Sequence, residues 1–198
     1  MKGEISMSGL PDNAMTAFGN GKFMKVIYWP FAKPDGSVGI QSRVFLWNGA
    51  LAIALDEKTH EVYVVRQTRE SPKGQIVTIE LPGGGVDPGD NPRQTAINEL
   101  FEEAGVSAAK DGKVVQLYGD DGIHPIDGLA FTDQHAFLFL SGKSLMEPTG
   151  DENTEVATIP LSELIAMDNH NEFRDPLSPY ALRRAQDWLR ENRPDLLT

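Results

Sequence analysis

One stretch near the middle of the chain leaves little freedom in its local structure. Gly83-Gly84-Gly85 is followed by Asn91-Pro92 and then by Asn98-Glu99-Leu100-Phe101-Glu102-Glu103-Ala104-Gly105-Val106. Three successive glycines let the backbone reach positive φ and approach a ligand closely. Asn91 before Pro92 reads as an N-cap with proline at the first helical position, and Gln94 is placed to close a capping box. Gly105 stands where a helix stops. The sequence therefore specifies loop, helix and loop, with sharp edges at both ends of the helix.

The helix has two faces. With Glu99 at zero and about 100° per residue, Glu102 falls near ~300° and Glu103 near ~40°. Three carboxylates then share roughly 100° of arc, while Ile97, Leu100, Phe101 and Ala104 form a separate apolar stripe. A solvated acidic surface is the plain alternative, because most charge clusters are surface decoration. The glycine loop and the caps weigh against it. Like charges this close raise each other's proton affinity. A counter-cation relieves the repulsion, and a set of oxygen ligands suits Mg²⁺, with Mn²⁺ as the alternative ion.

Composition narrows the field around this unit. A chain of 198 residues has enough length for one domain with a sizeable core. No run approaches the ~18 apolar residues of a membrane span. Met1-Lys2-Gly3-Glu4-Ile5-Ser6 lacks the apolar core of a signal peptide, so a cytoplasmic protein without membrane partners is expected. There is no cysteine, which removes disulfides, thiol catalysis and thiolate zinc sites. His60, His124, His135 and His170 show no ligand-like spacing. A net charge of −11 argues against a nucleic-acid partner, where neutralising phosphates supplies much of the affinity.

The remaining pattern alternates strands and helices. Residues 1–22 read as an N-terminal arm and residues 23–198 as one domain. Phe23 to Phe31 and Ser37 to Trp47 predict strands around the turn Pro34-Asp35-Gly36. Leu51 to Leu55 and Val62 to Val65 predict a second pair around Asp56 to Glu61. Further strands are expected at Ile76 to Leu81, Val114 to Tyr118, Ala136 to Leu140 and Val156 to Ile159. Leu161 to Met167 opens a short helix, and Ser178-Pro179 begins a last one with Leu182, Ala185, Trp188 and Leu189 on one face. The expected class is α/β, with a mixed sheet covered by helices on both faces.

Residues 84–106 resemble a Nudix box, the pattern G-x5-E-x7-R-E-U-x-E-E-x-G-U with U aliphatic. Here it runs Gly84, five residues, Asp90, seven residues, Asn98 and then Glu99 to Val106, with every spacing kept. Asp90 replaces the usual Glu and Asn98 the usual Arg, and a hydrogen bond between them is expected to replace the family's ion pair. The resemblance implies the Nudix fold, an α/β/α sandwich around a central mixed sheet. It also implies that Glu99, Glu102 and Glu103 hold the metal together with the backbone carbonyl of Gly83.

Val65-Arg66-Gln67-Thr68-Arg69 followed by Glu80-Leu81-Pro82-Gly83-Gly84 resembles the ADP-ribose and nucleoside-diphosphate-sugar pyrophosphatases of that family. The stretch from Phe23 to Arg43 is similar to their N-terminal strands. The branch implies substrate-binding roles for Arg43, Arg69 and Glu80, and pairing of two copies into a homodimer. In the residues themselves, Arg69 has the fork that grips phosphate, and Glu80 could orient Arg69, orient a metal-bound water or support the loop. Thr149 to Glu155 looks like the family's acidic loop, with Glu152 as catalytic base and Glu155 second. The implied reaction is metal-dependent hydrolysis of ADP-ribose or a related nucleoside diphosphate sugar to a nucleoside monophosphate and a sugar phosphate. GDP-mannose or a dinucleoside polyphosphate is the alternative substrate, and a catalytically weak nucleotide-sensing module is the alternative class.

Overall fold

The structure is a computed structural model that describes residues 11–19, 24–107, 112–125, 128–140, 143–144 and 154–197. Strands β1 (Met15–Gly19), β2 (Met24–Ala32), β3 (Val38–Leu46), β4 (Asn48–Leu55), β5 (Glu61–Ser71), β6 (Gly74–Glu80) and β7 (Gly83–Val86) lead into helix α1 (Pro92–Ala104). Beyond it come β8 (Val106–Ser107), β9 (Val114–Gln116), β10 (Ala130–Phe131), β11 (Gln134–Leu140), β12 (Lys143–Ser144) and β13 (Thr154–Pro160). Helices α2 (Leu161–Asn169) and α3 (Leu177–Asn192) and a 3-10 turn at Pro194–Leu197 close the chain.

The main sheet runs β13-β5-β4-β11-β9, with β6 added on β5 and β7 on β4. It is mixed: β11 lies parallel to β4, and the β13–β5 and β5–β6 pairs are antiparallel. A second sheet, β1-β2-β3-β10, carries the N-terminal strands. Local chemistry makes its hairpin. Asp35 accepts hydrogen bonds from the Ser37 N–H at 2.9 Å and the Ser37 hydroxyl at 2.7 Å, and Gly36 supplies φ +81°.

Strand alternation sorts the core into two layers. On β4, Ala50, Ala52 and Ala54 pack with Phe137 and Phe139 of β11 against Ala96, Leu100 and Ala104 of α1. Ile53 and Leu55, with Leu138 and Leu140, turn the other way and meet Leu161 and Leu164 of α2 and Leu182, Ala185 and Leu189 of α3. The sheet thus has α1 on one face and α2 and α3 on the other, the α/β/α sandwich that the sequence implied. The alanines on β4 let α1 settle close to the sheet. Burying Leu100 completely contributes about 1.5–3 kcal/mol to holding it there.

The helix forms where its caps place it. The Asn91 side chain accepts the Arg93 N–H at 2.9 Å, and Gly105 adopts the left-handed φ of 64°. Gln94 does not close a capping box; its amide donates to the Asn98 side chain at 2.9 Å, one turn along. That bond also corrects the expected Asp90–Asn98 link, which does not form among the described residues. Asp90 lies in the loop before the helix.

Besides the two-residue strands β8, β10 and β12, two longer strands lie where the sequence suggested none. Gly83–Val86 forms the short strand β7 within the glycine loop, paired antiparallel with β4. Met15–Gly19, within the expected arm, pairs antiparallel with β2. The strand expected at Val114 to Tyr118 ends at Gln116.

Candidate active site

The glycine loop lies directly against the acidic face of α1. The Gly83 N–H donates to the Glu103 carboxylate at 2.8 Å. At Gly84 a β-carbon would run into the Glu99 carboxylate, so only glycine permits this approach. Gly85 is covered by the Trp47 ring, where a β-carbon would stand 2.9 Å from the indole. The three glycines therefore serve three close contacts, two of them with box glutamates.

The three glutamates are not equivalent. Glu99 and Glu103 turn toward the loop and are partly buried, whereas Glu102 is exposed. Glu102 borders a separate cavity of about 250 Å³ with Ile97, Asn98, Phe101 and Ser107. The helical wheel explains the difference, since Glu102 and Glu103 point about 100° apart. Among the described residues, no three His, Asp or Glu side chains are drawn into one metal-ready cluster. The donor chemistry still fits a hard cation. Two carboxylates and a backbone carbonyl at Gly83 are oxygen ligands of the kind Mg²⁺ and Mn²⁺ accept.

Arg69 and Glu80 face each other across the β5–β6 hairpin. Arg69 donates to Glu80 through Nε at 3.1 Å and Nη2 at 2.7 Å, and Thr78 adds a hydroxyl donor at 2.6 Å. Burial raises the Glu80 pKa, but the hydrogen bonds from Arg69 and Thr78 and the charge of Arg69 outweigh it, leaving it below the ordinary glutamate value. Glu80 is thus held as an anion, with its side chain 17% exposed against 49% for Arg69. The arginine is oriented from below while its outer side meets solvent.

The other expected site residues lie apart from these. Arg43 belongs to β3 in the second sheet, where its guanidinium sits 6.0 Å from the Trp29 ring centroid. Glu152 lies outside the described residues. Glu155, on β13, pairs with Arg66 at 3.6 Å in an exposed position.

A cavity of about 370 Å³ opens beside the loop between β7 and α1, lined by Phe45, Trp47, Phe131, Asn48 and Asp133 together with Asp87 to Asp90. Its polar wall is braced. Asn48 donates to Asp133 at 2.9 Å and accepts the Asp133 N–H at 2.9 Å, and Thr132 donates to the Trp47 carbonyl at 2.8 Å. Burial lowers the His135 pKa against the pull of Asp133 and Asp121, which favours the neutral imidazole there. Sequence reasoning passed over Thr78, Asn48, Thr132 and Asp133. Thr78 carried a readable signal, since it lies two residues from Glu80 on one strand and so shares its face. The Asn48–Asp133 bracket carried none, being 85 residues apart.

A sandwich with a glycine loop folded onto an acidic helix defines the class of Nudix-box hydrolases. The family model described as NUDIX domain matches residues 46–181, and the chain belongs to the Nudix family. The ADP-ribose pyrophosphatase of Bacillus subtilis (strain 168) is 29% identical over 143 residues, 70% of this chain and 72% of that protein. Nudix hydrolase 3 of Caenorhabditis elegans is 31% identical over 111 residues, 52% of this chain and 42% of its own length. A solved structure described as an ADP compounds hydrolase superposes with a TM-score of 0.69 at 16% identity, covering 91% of this chain and 94% of its own, which shows the shared fold.

Proposed function

We propose that this Nudix hydrolase cleaves the pyrophosphate bond of ADP-ribose or a related nucleoside diphosphate sugar with a divalent cation, giving a nucleoside monophosphate and a sugar phosphate. One observation carries the reading. Two box glutamates are folded onto the glycine loop, and Arg69 is locked by Glu80, which stands three residues upstream of Gly83. Anionic ligands for a cation thus lie next to a cationic grip for phosphate, as a doubly charged pyrophosphate requires. The resemblance to the Bacillus ADP-ribose pyrophosphatase supports the substrate class.

In this reading Glu99 and Glu103, the Gly83 carbonyl and, from the outer flank, Glu102 hold Mg²⁺, or Mn²⁺ in its place. The bound cation supplies charge neutralisation on the pyrophosphate oxygens and acidifies a water molecule. Arg69 forks onto a phosphate, with Glu80 fixing its plane. Glu152 takes the proton of the attacking water. It is preferred over Glu155 because Glu155 is engaged by Arg66. The cavity beside Trp47 offers apolar walls and a polar edge for one end of the substrate.

Two copies pair through the N-terminal sheet in this reading, since Met15, Phe18, Phe31, Val38 and Ile40 are exposed apolar side chains on its strands. Among the described residues no helix is long and apolar enough to cross a membrane, and the proposed place of action is the cytoplasm.

A second reading, a Nudix-fold binding module without turnover, draws on the missing Asp90–Asn98 link. A substrate panel with product identification separates the two. ADP-ribose, GDP-mannose and dinucleoside polyphosphates are incubated with Mg²⁺, and hydrolysis fastest on ADP-ribose or another nucleoside diphosphate sugar is expected. Calorimetric binding of these compounds with no products from any of them would establish the binding module instead.

A further inference from the structure

The start of α3 is fastened to the chain just upstream of the glycine loop. Asp175 accepts the Leu177 N–H at 2.9 Å and the Ser178 N–H at 2.7 Å through one carboxylate oxygen, capping the helix from outside. Ser178 is 1% exposed. Its hydroxyl accepts the Leu81 N–H at 3.0 Å, across 97 residues of sequence.

That bond completes a set of restraints on the Glu80-Leu81-Pro82-Gly83 turn. Glu80 is held by Arg69 and Thr78. The Pro82 carbonyl accepts the Ala52 N–H at 2.8 Å, and the Gly83 N–H reaches Glu103. Pro82 has no N–H, so Leu81 and Gly83 supply the two inner donors of the turn. One goes to the helical layer behind the sheet and the other to the acidic helix in front of it.

A helix cap does not require a contact of this kind. Asp175 alone satisfies the first N–H groups of α3, yet the Ser178 side chain is spent on a backbone amide next to Glu80. The second Asp175 oxygen is buried without a hydrogen-bond partner. Burial, with the Glu80 charge adding to it, raises the Asp175 pKa although both Ser178 groups favour the anion. Asp175 thus leaves one buried oxygen without a partner while its other oxygen holds the Ser178 N–H.

We propose that Ser178, held by Asp175, is a positioning residue for the active site, setting the Glu80–Gly83 turn from behind and thereby fixing Arg69 and the Gly83 carbonyl relative to Glu99 and Glu103. The inference rests on the pyrophosphohydrolase reading of that site. It assigns α3 a part in turnover beyond its part in the core.

Ser178→Ala in the full chain tests it against Arg183→Ala. The control breaks a different tie of α3, the two-pronged bond from Arg183 to Asp168 at 2.7 and 2.8 Å, which reaches α2 rather than the turn. Amide hydrogen exchange is read by NMR without metal, Mg²⁺ binding by calorimetry, and kcat and KM on ADP-ribose. Ser178→Ala is expected to speed exchange about tenfold at Gly83 as well as Leu81, to weaken Mg²⁺ binding and to lower kcat about tenfold. Arg183→Ala is expected to leave all three at wild-type values. Asp175→Asn, which keeps the capping oxygen, is expected to preserve Gly83 protection, whereas Asp175→Ala loses it. Faster exchange confined to Leu81, with Mg²⁺ binding unchanged, would overturn the proposal, as would an equal fall in kcat in Arg183→Ala. Should the wild type hydrolyse no pyrophosphate, the functional reading falls alone. Gly83 exchange and Mg²⁺ binding then still decide the role of Ser178.

Discussion

The two faces of strand β4 are built to different specifications. Toward α1 it presents Ala50, Ala52 and Ala54; toward α3 it presents Ile53 and Leu55, with Leu51 partly buried on the same side. Short side chains bring the acidic helix close to the sheet, where Gly83 and Gly84 can meet Glu103 and Glu99. The large side chains on the opposite face fill a core with Leu164, Leu182 and Leu189, all essentially inaccessible. One layer is thin and carries the box glutamates; the other is thick and carries the larger apolar core. Changes on the two faces should therefore fail in different ways.

The largest effect belongs to the thin face. Glu103→Gln keeps the size of the side chain and removes its charge. Turnover should fall by about three orders of magnitude, or ~4 kcal/mol in the barrier, while the melting temperature stays near that of the wild type. Steady-state kinetics beside a thermal melt makes the comparison. Near wild-type turnover would remove Glu103 from the site.

The thick face should answer in reverse. Leu182→Ala leaves a cavity under α3 and should cost about 2–5 kcal/mol of stability by urea unfolding. Turnover per folded molecule should hold. A large fall in kcat would mean that the two layers are less separate than their packing indicates.

Arg69→Ala is smaller. Losing a charge-assisted fork on phosphate should raise KM by about 10- to 100-fold, which corresponds to ~1.5–3 kcal/mol. The Glu80 pKa should rise, because burial is then opposed by the Thr78 hydrogen bond without the Arg69 hydrogen bonds and charge.

The smallest effect concerns pH. Asp175 binds its proton more tightly in the folded protein than in the unfolded chain. Its contribution to stability is therefore full at low pH and fades as pH rises from the ordinary aspartate range through the raised folded value. Glu80 has the opposite sign, adding stability above the ordinary glutamate range that is lost as pH falls. Asp175→Asn should remove only the first slope, so that its urea midpoint exceeds that of the wild type at neutral pH and not in acid.

How much of this was legible follows from how local each feature is. The caps of α1 are written in adjacent residues, so Asn91 and Gly105 could be placed from sequence. The stripe of Leu100 and Ala104 and the acidic face opposite are consequences of helical period alone. The separation of Glu102 from Glu103 was present in the same arithmetic, although the family pattern groups them. Gly83–Val86 was hidden as a strand because three glycines carry no strand propensity and its pairing depends on β4, more than 30 residues earlier. The Leu81–Ser178 bond joins segments 97 residues apart, and no pattern in either announces the other. Gln94 was misdirected because two partners lay within its reach, and Asn98 one turn on displaced the N-terminal one.

Hydrolysis of ADP-ribose with Mg²⁺, set beside the same reaction in excess EDTA, bears most directly on the thin face as a metal-dependent pyrophosphohydrolase site. AMP and ribose 5-phosphate should appear in equal amounts with Mg²⁺ and be abolished by the chelator. Equal turnover in EDTA, or no cleavage of any nucleoside diphosphate sugar with Mg²⁺ present, would contradict it.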